Sequence, residues 1–105
     1  PDKSEIPSLL ENISALGRAS GLDFNLFRPK ADVAKAFYAE IPVDIVVQGN
    51  YKDIVLFFDK VSKMPRIVNI SDIVMGSPKK GTDGIIITTS CNATTYKFIE
   101  GAKTQ

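Results

Sequence analysis

The residues of this chain best suited to binding chemistry form a predicted strand-to-helix turn, Val47-Gln48-Gly49-Asn50-Tyr51. The first N–H groups of a helix have no partner inside the helix, so a helix that begins here could bind an anion. The turn also has a structural interpretation, because Asn50 is a good N-cap residue and Asp53 follows three positions later. One turn therefore has two explanations, an anion site and a helix cap.

The turn is similar to the phosphate-binding turn of acylphosphatases, small ferredoxin-like enzymes that carry Val-Gln-Gly at such a turn. Those enzymes have an arginine shortly after the glycine, and it neutralises the phosphate charge. Here residues 50–53 are Asn, Tyr, Lys and Asp, and the Asp53 carboxylate would repel an anion. Capping alone explains Gly49, Asn50 and Asp53. An anion-binding or acylphosphatase-like module is therefore kept only as the alternative function.

Other reactive side chains lack the neighbours that catalysis requires. The chain has no histidine, the commonest general base and metal ligand. Glu40 and Asp44 share a strand face but stand about 13 Å apart at roughly 3.3 Å per residue, whereas paired glycosidase carboxylates are separated by at most about 9.5 Å. Thr88 and Ser90 have no base beside them. We predict a non-enzymatic protein with no catalytic residue, cofactor or metal site.

Composition indicates one ordinary globular domain over residues 1–105. Hydrophobic residues make up 44% and charged residues 24% of the chain, and the net charge is +1. This balance gives no drive toward nucleic acid or acidic lipid, so neither is expected as a partner. Cys91 is the single cysteine and is expected to pack in the core. No apolar stretch approaches the roughly 18 residues that span a bilayer.

The first half of the chain predicts a helix and two strands. Apolar residues at helical spacing predict a helix over residues 7–20, with Pro7 in its first turn and Gly21 at the left-handed position that ends it. Alternation over residues 22–26 predicts a half-buried strand. A long strand over residues 37–48 should place its odd-numbered residues, starting with Phe37, on the core face, with an irregularity at Pro42.

The second half repeats this order. A helix begins at Asn50 and ends before Pro65. A strand over residues 66–75 should point Val68, Ile70 and Val74 inward, with a bulge at Asp72. Residues 76–84 are rich in turn formers and predict a loop, and a last strand runs from Ile85 to about Phe98.

The order helix-strand-strand therefore occurs twice and predicts an α+β fold. The simplest assembly is a four-stranded antiparallel sheet with both helices on one face. Placing the two longest strands in the centre gives the order 1-2-4-3, numbered along the chain. This arrangement is a circularly permuted ferredoxin-like two-layer sandwich, αββαββ, with one sheet face uncovered.

The uncovered face is the most promising place for a protein partner. An apolar patch rimmed by polar side chains is typical of such a site. The outer strand could also accept a partner strand by β-augmentation. The candidate interface residues on this face and its outer strand are Tyr38, Val46, Arg66, Ile67, Asn69 and Ile73.

Several segments together resemble the PilO family of type IV pilus proteins. They are Phe37-Tyr38-Ala39-Glu40-Ile41-Pro42-Val43, Gln48-Gly49-Asn50-Tyr51, Met64-Pro65-Arg66-Ile67-Val68, Leu16-Gly17-Arg18-Ala19-Ser20-Gly21-Leu22 and Phe27-Arg28-Pro29. Their joint order and spacing carry the resemblance, which covers residues 4–98.

The resemblance implies the periplasmic globular domain of a bacterial inner-membrane protein. PilO-like proteins carry a transmembrane helix and a coiled coil before this domain, and both are expected to be absent from this chain, so membrane attachment would come only through that helix. The implied role is structural, in the inner-membrane alignment complex of the pilus. The implied partners are a second copy of the protein, a PilN-like paralogue and a PilP-like lipoprotein.

Overall fold

The computed structural model describes residues 2–64, 68–82 and 84–98. Within these residues the chain forms two helices, α1 (Asp2–Ala19) and α2 (Tyr51–Ser62). The strands are β1 (Asp23–Pro29), β2 (Val33–Ala34), β3 (Tyr38–Gly49), β4 (Val68–Gly81) and β5 (Gly84–Phe98). The predicted α+β class, with two helices and an antiparallel sheet, is confirmed.

The described strands form one antiparallel sheet in the order β1-β3-β5-β4, and β2 pairs with the start of β3. The sequence had predicted four strands in the order 1-2-4-3, so the strand count, and with it the numbered order, is corrected. The difference arises at β2, because Val33 and Ala34 pair with Glu40 and Ala39 instead of belonging to a loop. Two residues are too few to produce a visible alternation in the sequence.

One face of the sheet carries both helices and the core. Residues of β3 alternate between buried and partly exposed positions from Ala39 to Gly49, as predicted. The buried cluster contains Ile13, Leu22, Val43, Ile45, Val47, Ile54, Phe57, Val61, Cys91 and Ala93. The predicted core position of Cys91 is confirmed. Phe37 was wrongly placed on the core face, since it precedes the strand and is 63% exposed.

Helix α1 begins at Asp2, earlier than the predicted start at Pro7. A proline inside a helix removes one backbone hydrogen bond, and α1 continues through it nonetheless. The end of the helix follows the prediction, because Gly21 has a φ of 90°. Gly17 lets α1 lie close to the sheet, since a Cβ there would stand 2.4 Å from Cε2 of Phe24.

Pro42 pairs in register with Thr94 of β5, so the predicted irregularity at this proline is wrong. The Pro42 carbonyl accepts a hydrogen bond from the Lys30 N–H at 2.8 Å, on the β1 side. The nitrogen and carbonyl of one strand residue point the same way, so the Pro42 nitrogen also faces Lys30, just past the end of β1 at Pro29. The missing N–H therefore lies outside the paired part of β1 and needs no bulge.

Strand β4 continues through the segment that was predicted as a loop. It runs to Gly81, and Lys79 pairs with Ile86 of β5. A register shift between Gly76 and Lys79 accommodates the turn-forming residues inside the strand. β4 and β5 therefore form a long hairpin that extends beyond the end of β3, whose last residue Gly49 pairs with Ile87.

The bulge predicted at Asp72 is confirmed, and it overturns the prediction for Val74. The register shifts between Ser71 and Val74, and Asp72 has a φ of 56°. Val74 then pairs with Ser90, which points away from the helices, and Val74 is 61% exposed. One extra residue moves the following side chains to the other face.

Candidate functional site

The sheet face opposite the helices is not covered by any element in the described part of the chain, and we call it the open sheet face. Five strands supply its side chains, which are all at least partly exposed. They include Asp23, Leu26 and Arg28 of β1; Val33 of β2; Tyr38, Glu40, Pro42, Asp44, Val46 and Gln48 of β3; Asn69, Ser71 and Val74 of β4; and Thr88, Ser90, Asn92, Thr94 and Tyr96 of β5.

Strand pairing aligns three apolar side chains in a row across the open sheet face. Leu26 of β1 pairs with Val46 of β3, Val46 pairs with Ser90 of β5, and Ser90 pairs with Val74 of β4. Directly opposite residues have Cβ atoms about 5 Å apart, so Leu26 and Val46 are neighbours, and Ser90 separates Val46 from Val74. We call Leu26, Val46 and Val74, together with the intervening Ser90, the apolar row.

A polar row runs beside the apolar row. Arg28 pairs with Asp44, Asp44 with Asn92, and Asn92 with Ser71. The two rows enclose a shallow groove of about 360 Å³. Its lining includes Leu26, Asp44, Val46, Asp72, Val74, Ser90 and Asn92. The groove therefore places apolar side chains next to two carboxylates.

The two carboxylates at the groove differ in their partners. The Asp44 carboxylate lies 3.6 Å from Nη2 of Arg28 and 3.3 Å from Nζ of Lys30. The Asp72 carboxylate accepts a hydrogen bond from Nδ2 of Asn92 at 2.8 Å. Among the described residues, no lysine or arginine nitrogen lies within 4.0 Å of Asp72. Within the described residues, Asp72 therefore contributes a negative charge that its neutral partner Asn92 does not balance.

Two tyrosines mark one end of the open sheet face. The rings of Tyr38 and Tyr96 meet edge to face, with centroids 5.9 Å apart and planes at 64°. This geometry is favourable for aromatic pairs and holds both rings in place. Phe37 next to Tyr38 is exposed as well, so this end presents aromatic surface to solvent.

The structure brings only part of the predicted interface set together. Tyr38, Val46 and Asn69 lie on the open sheet face. Ile73 lies within the β4 bulge and is 47% exposed. Arg66 and Ile67 lie outside the described residues, so their positions remain predictions.

Sequence reasoning missed Leu26 and Val74 as apolar residues of the open sheet face. Each follows a bulge, between Phe24 and Leu26 in β1 and between Ser71 and Val74 in β4. The β1 bulge turns Phe27 toward the core, where it packs beside Phe24. Adjacent apolar residues at Leu26 and Phe27 are the signal that could have revealed this change of face.

The Gly49-Asn50 turn is built as a helix cap. Asn50 has extended backbone angles, and its Oδ1 accepts a hydrogen bond from the Asp53 N–H at 2.8 Å. This bond uses one of the free donors that an anion would need. A Cβ at Gly49 would stand 2.3 Å from Cδ2 of Leu22, so close packing explains the glycine. The predicted cap is confirmed.

Cys91 does not have the environment of a reactive thiol. It is buried in the core, and burial raises the pKa of its thiol from 9.0 to about 11. Near neutral pH the thiol stays protonated. Residues 2–64, 68–82 and 84–98 contain no group of three or more potential metal ligands. None of the described helices is long and apolar enough to cross a bilayer.

Comparisons with known proteins identify the family. Residues 5–100 match the family described as the type IVa pilus alignment subcomplex PilO C-terminal domain. The chain is 37% identical over 98 residues to the type IV pilus inner membrane component PilO of Pseudomonas aeruginosa. That alignment covers 93% of this chain and 47% of the relative, so the chain spans about half the length of the curated relative.

Solved structures agree with this assignment. The crystal structure of the fimbrial biogenesis protein PilO from Pseudomonas aeruginosa matches with a TM-score of 0.82 and 36% identity, covering 94% of this chain and 73% of that one. The PilO core region from the same organism matches with a TM-score of 0.74 and 36% identity, over 88% of this chain and 93% of that one. An Akkermansia muciniphila structure at 12% identity, with a TM-score of 0.59 over 82% of this chain and 48% of its own, shares the fold alone. The chain therefore belongs to the PilO C-terminal domain family, as its sequence pattern indicated.

Proposed function

We propose that this domain is a non-catalytic assembly component of the type IV pilus inner-membrane alignment complex. It acts by binding proteins: a second copy of itself, a PilN-like paralogue and a PilP-like lipoprotein. Its location is the periplasmic side of a bacterial inner membrane.

The observation that carries this proposal is the match of residues 5–100 to a domain family described by its place in the pilus alignment subcomplex. The description of the curated relative as an inner membrane component of the type IV pilus supports the location. The open sheet face supports a binding role, since it joins an apolar row to polar neighbours on a rigid sheet.

We also propose a fold type for this chain and an organisation for the whole protein. Each half of the chain gives one helix followed by two long strands, which supports a circularly permuted ferredoxin-like arrangement. The aligned region makes up 47% of the curated relative. We infer that the remainder of such a protein includes the transmembrane helix and coiled coil, and that residues 1–105 are a single domain.

The test is complex formation with the cognate PilN-like protein. Periplasmic regions of both proteins, each retaining its upstream coiled coil, are mixed and analysed by size-exclusion chromatography with light scattering. We expect a single peak with the mass of a heteromer. Two peaks with the masses of the separate proteins, across micromolar concentrations, would contradict the proposed function.

A further inference from the structure

We propose that the groove on the open sheet face binds a segment of a different protein, one that presents an apolar side chain next to a lysine or arginine. The apolar side chain contacts Val46 and Val74, and the cation pairs with Asp72. This inference rests on the proposed function, because it specifies the chemistry of the protein that the open sheet face receives.

The two edges of the sheet are poorly suited to the addition of a partner strand. A partner is therefore expected to bind the open sheet face. The outer strand β4 has register shifts after Ser71 and after Gly76, and Pro78 has no N–H to donate. On the other side, β1 has a register shift after Phe24 and ends at Pro29. Bulges and prolines interrupt the regular row of backbone groups that an added strand needs. A partner can instead contact the side chains of the open sheet face.

The groove presents apolar side chains from three strands to a partner. Leu26, Val46 and Val74 lie in one row, and Val74 is 61% exposed without a partner. An apolar side chain placed over Ser90 would remove water from Val46 and Val74, which lie on either side of it. Small buried contacts of this kind, bordered by polar groups, carry much of the energy of protein interfaces.

The negative charge of Asp72 favours a partner that carries a basic residue next to its apolar side chain. Arg28 and Lys30 both pair with Asp44, so Asp44 is not available to a cation from a partner. Asp72 has only the neutral amide of Asn92 among the described residues, so a cation from a partner complements it. Its position is also fixed, because the bulge holds Asp72 at a φ of 56°, which few residues other than glycine, asparagine and aspartate adopt readily.

The experiment compares two variants that each remove one negative charge. D72N keeps the shape of the side chain, its tolerance for positive φ and an oxygen that can accept from Asn92. D59N is the control, since Asp59 lies exposed on α2 beside Lys63. The probe is the cognate PilN-like periplasmic region, and affinity is measured by calorimetry at low and high salt. We expect D72N to weaken binding roughly three- to tenfold and to flatten its salt dependence, and D59N to leave both unchanged.

A second pair of variants tests the apolar contact. V74S removes an apolar side chain from the groove, and V55S removes an exposed one from α2. We expect V74S to weaken binding at least about threefold more than V55S.

The outcomes separate the two proposals. If the wild-type domain binds no PilN-like partner, the proposed function fails, and this inference fails with it. If wild type binds but D72N matches D59N and V74S matches V55S, the proposed function stands and the groove is not its binding site. If D72N and V74S change only self-association in sedimentation experiments, a second copy occupies the groove, and the inference of a basic-apolar partner is overturned.

Discussion

The two faces of the central strands differ in what covers them and in what their side chains do. On the helix-covered face of β3, Ile41, Val43, Ile45 and Val47 are at most 2% exposed. On the open sheet face, the intervening residues remain in contact with water. The same strands therefore serve packing on one side and are available for recognition on the other. Changes on the covered face should alter stability, and changes on the open sheet face should alter binding.

The largest expected effect comes from removing a ring from the covered face. Phe57 is 1% exposed and contacts Phe24 edge to face with centroids 6.1 Å apart. Phe57→Ala should lower the free energy of unfolding by about 3–5 kcal/mol, because it leaves a cavity. Urea unfolding followed by circular dichroism measures this loss.

Val74→Ala on the open sheet face is the matched comparison. Val74 has little packing to lose, so its truncation should cost less than about 0.5 kcal/mol. Similar losses for the two variants would show that both faces contribute equally to stability. That result would contradict the proposed difference between the faces.

Raising the pH should lower the free energy of unfolding by less than Phe57→Ala does, through the ionisation of the thiol that the covered face buries. Burial raises the pKa of Cys91 to about 11 from 9.0. Well below pH 9 the thiol is protonated in both folded and unfolded states and does not change stability with pH. Between pH 9 and 11 the unfolded state loses its proton first, so stability should fall as pH rises, by up to roughly 2–3 kcal/mol.

The variant Cys91→Ala isolates this contribution from lysines and tyrosines, which titrate in both proteins. The free energy of unfolding of wild type should fall more steeply than that of Cys91→Ala from pH 9 to 10.5. Parallel curves would mean that the thiol ionises as easily in the folded protein as in the unfolded chain.

A stability effect smaller than those of Phe57 and Cys91 is expected at the junction between β3 and α2. Asn50→Ala removes the acceptor of the Asp53 N–H and should cost about 1 kcal/mol. Asn50→Ser retains a capping oxygen and should recover most of that loss in thermal unfolding. A serine variant as unstable as the alanine variant would argue against capping as the role of Asn50.

Local signals in the sequence predicted the covered face well. The alternation of apolar and polar residues in β3 and the Asn50 cap both depend on residues close together in sequence. They can therefore be recognised from the sequence alone. The Asp72 bulge was also predicted, because a charged residue interrupts an alternating strand. The family resemblance then supplied a role that no single residue could indicate.

The open sheet face was harder to predict because it depends on pairing between distant strands. The identity of its apolar row follows from two bulges, and a shift of one residue reverses which side chains face the core. Gly76, Ser77 and Pro78 favour turns locally, yet pairing with β5 holds this region in β4. The Asp72–Asn92 hydrogen bond joins residues 20 positions apart and has no local signature.

The most direct test of the contrast between the faces is methyl NMR with cross-saturation from the partner. The domain is deuterated with protonated valine and leucine methyls, and the PilN-like periplasmic region is fully protonated. Saturation should reach Leu26, Val46 and Val74 and leave the buried Val43 and Val47 unaffected. Saturation of Val55 and Leu56 on α2, with none at Val46 and Val74, would contradict the assignment of binding to the open sheet face.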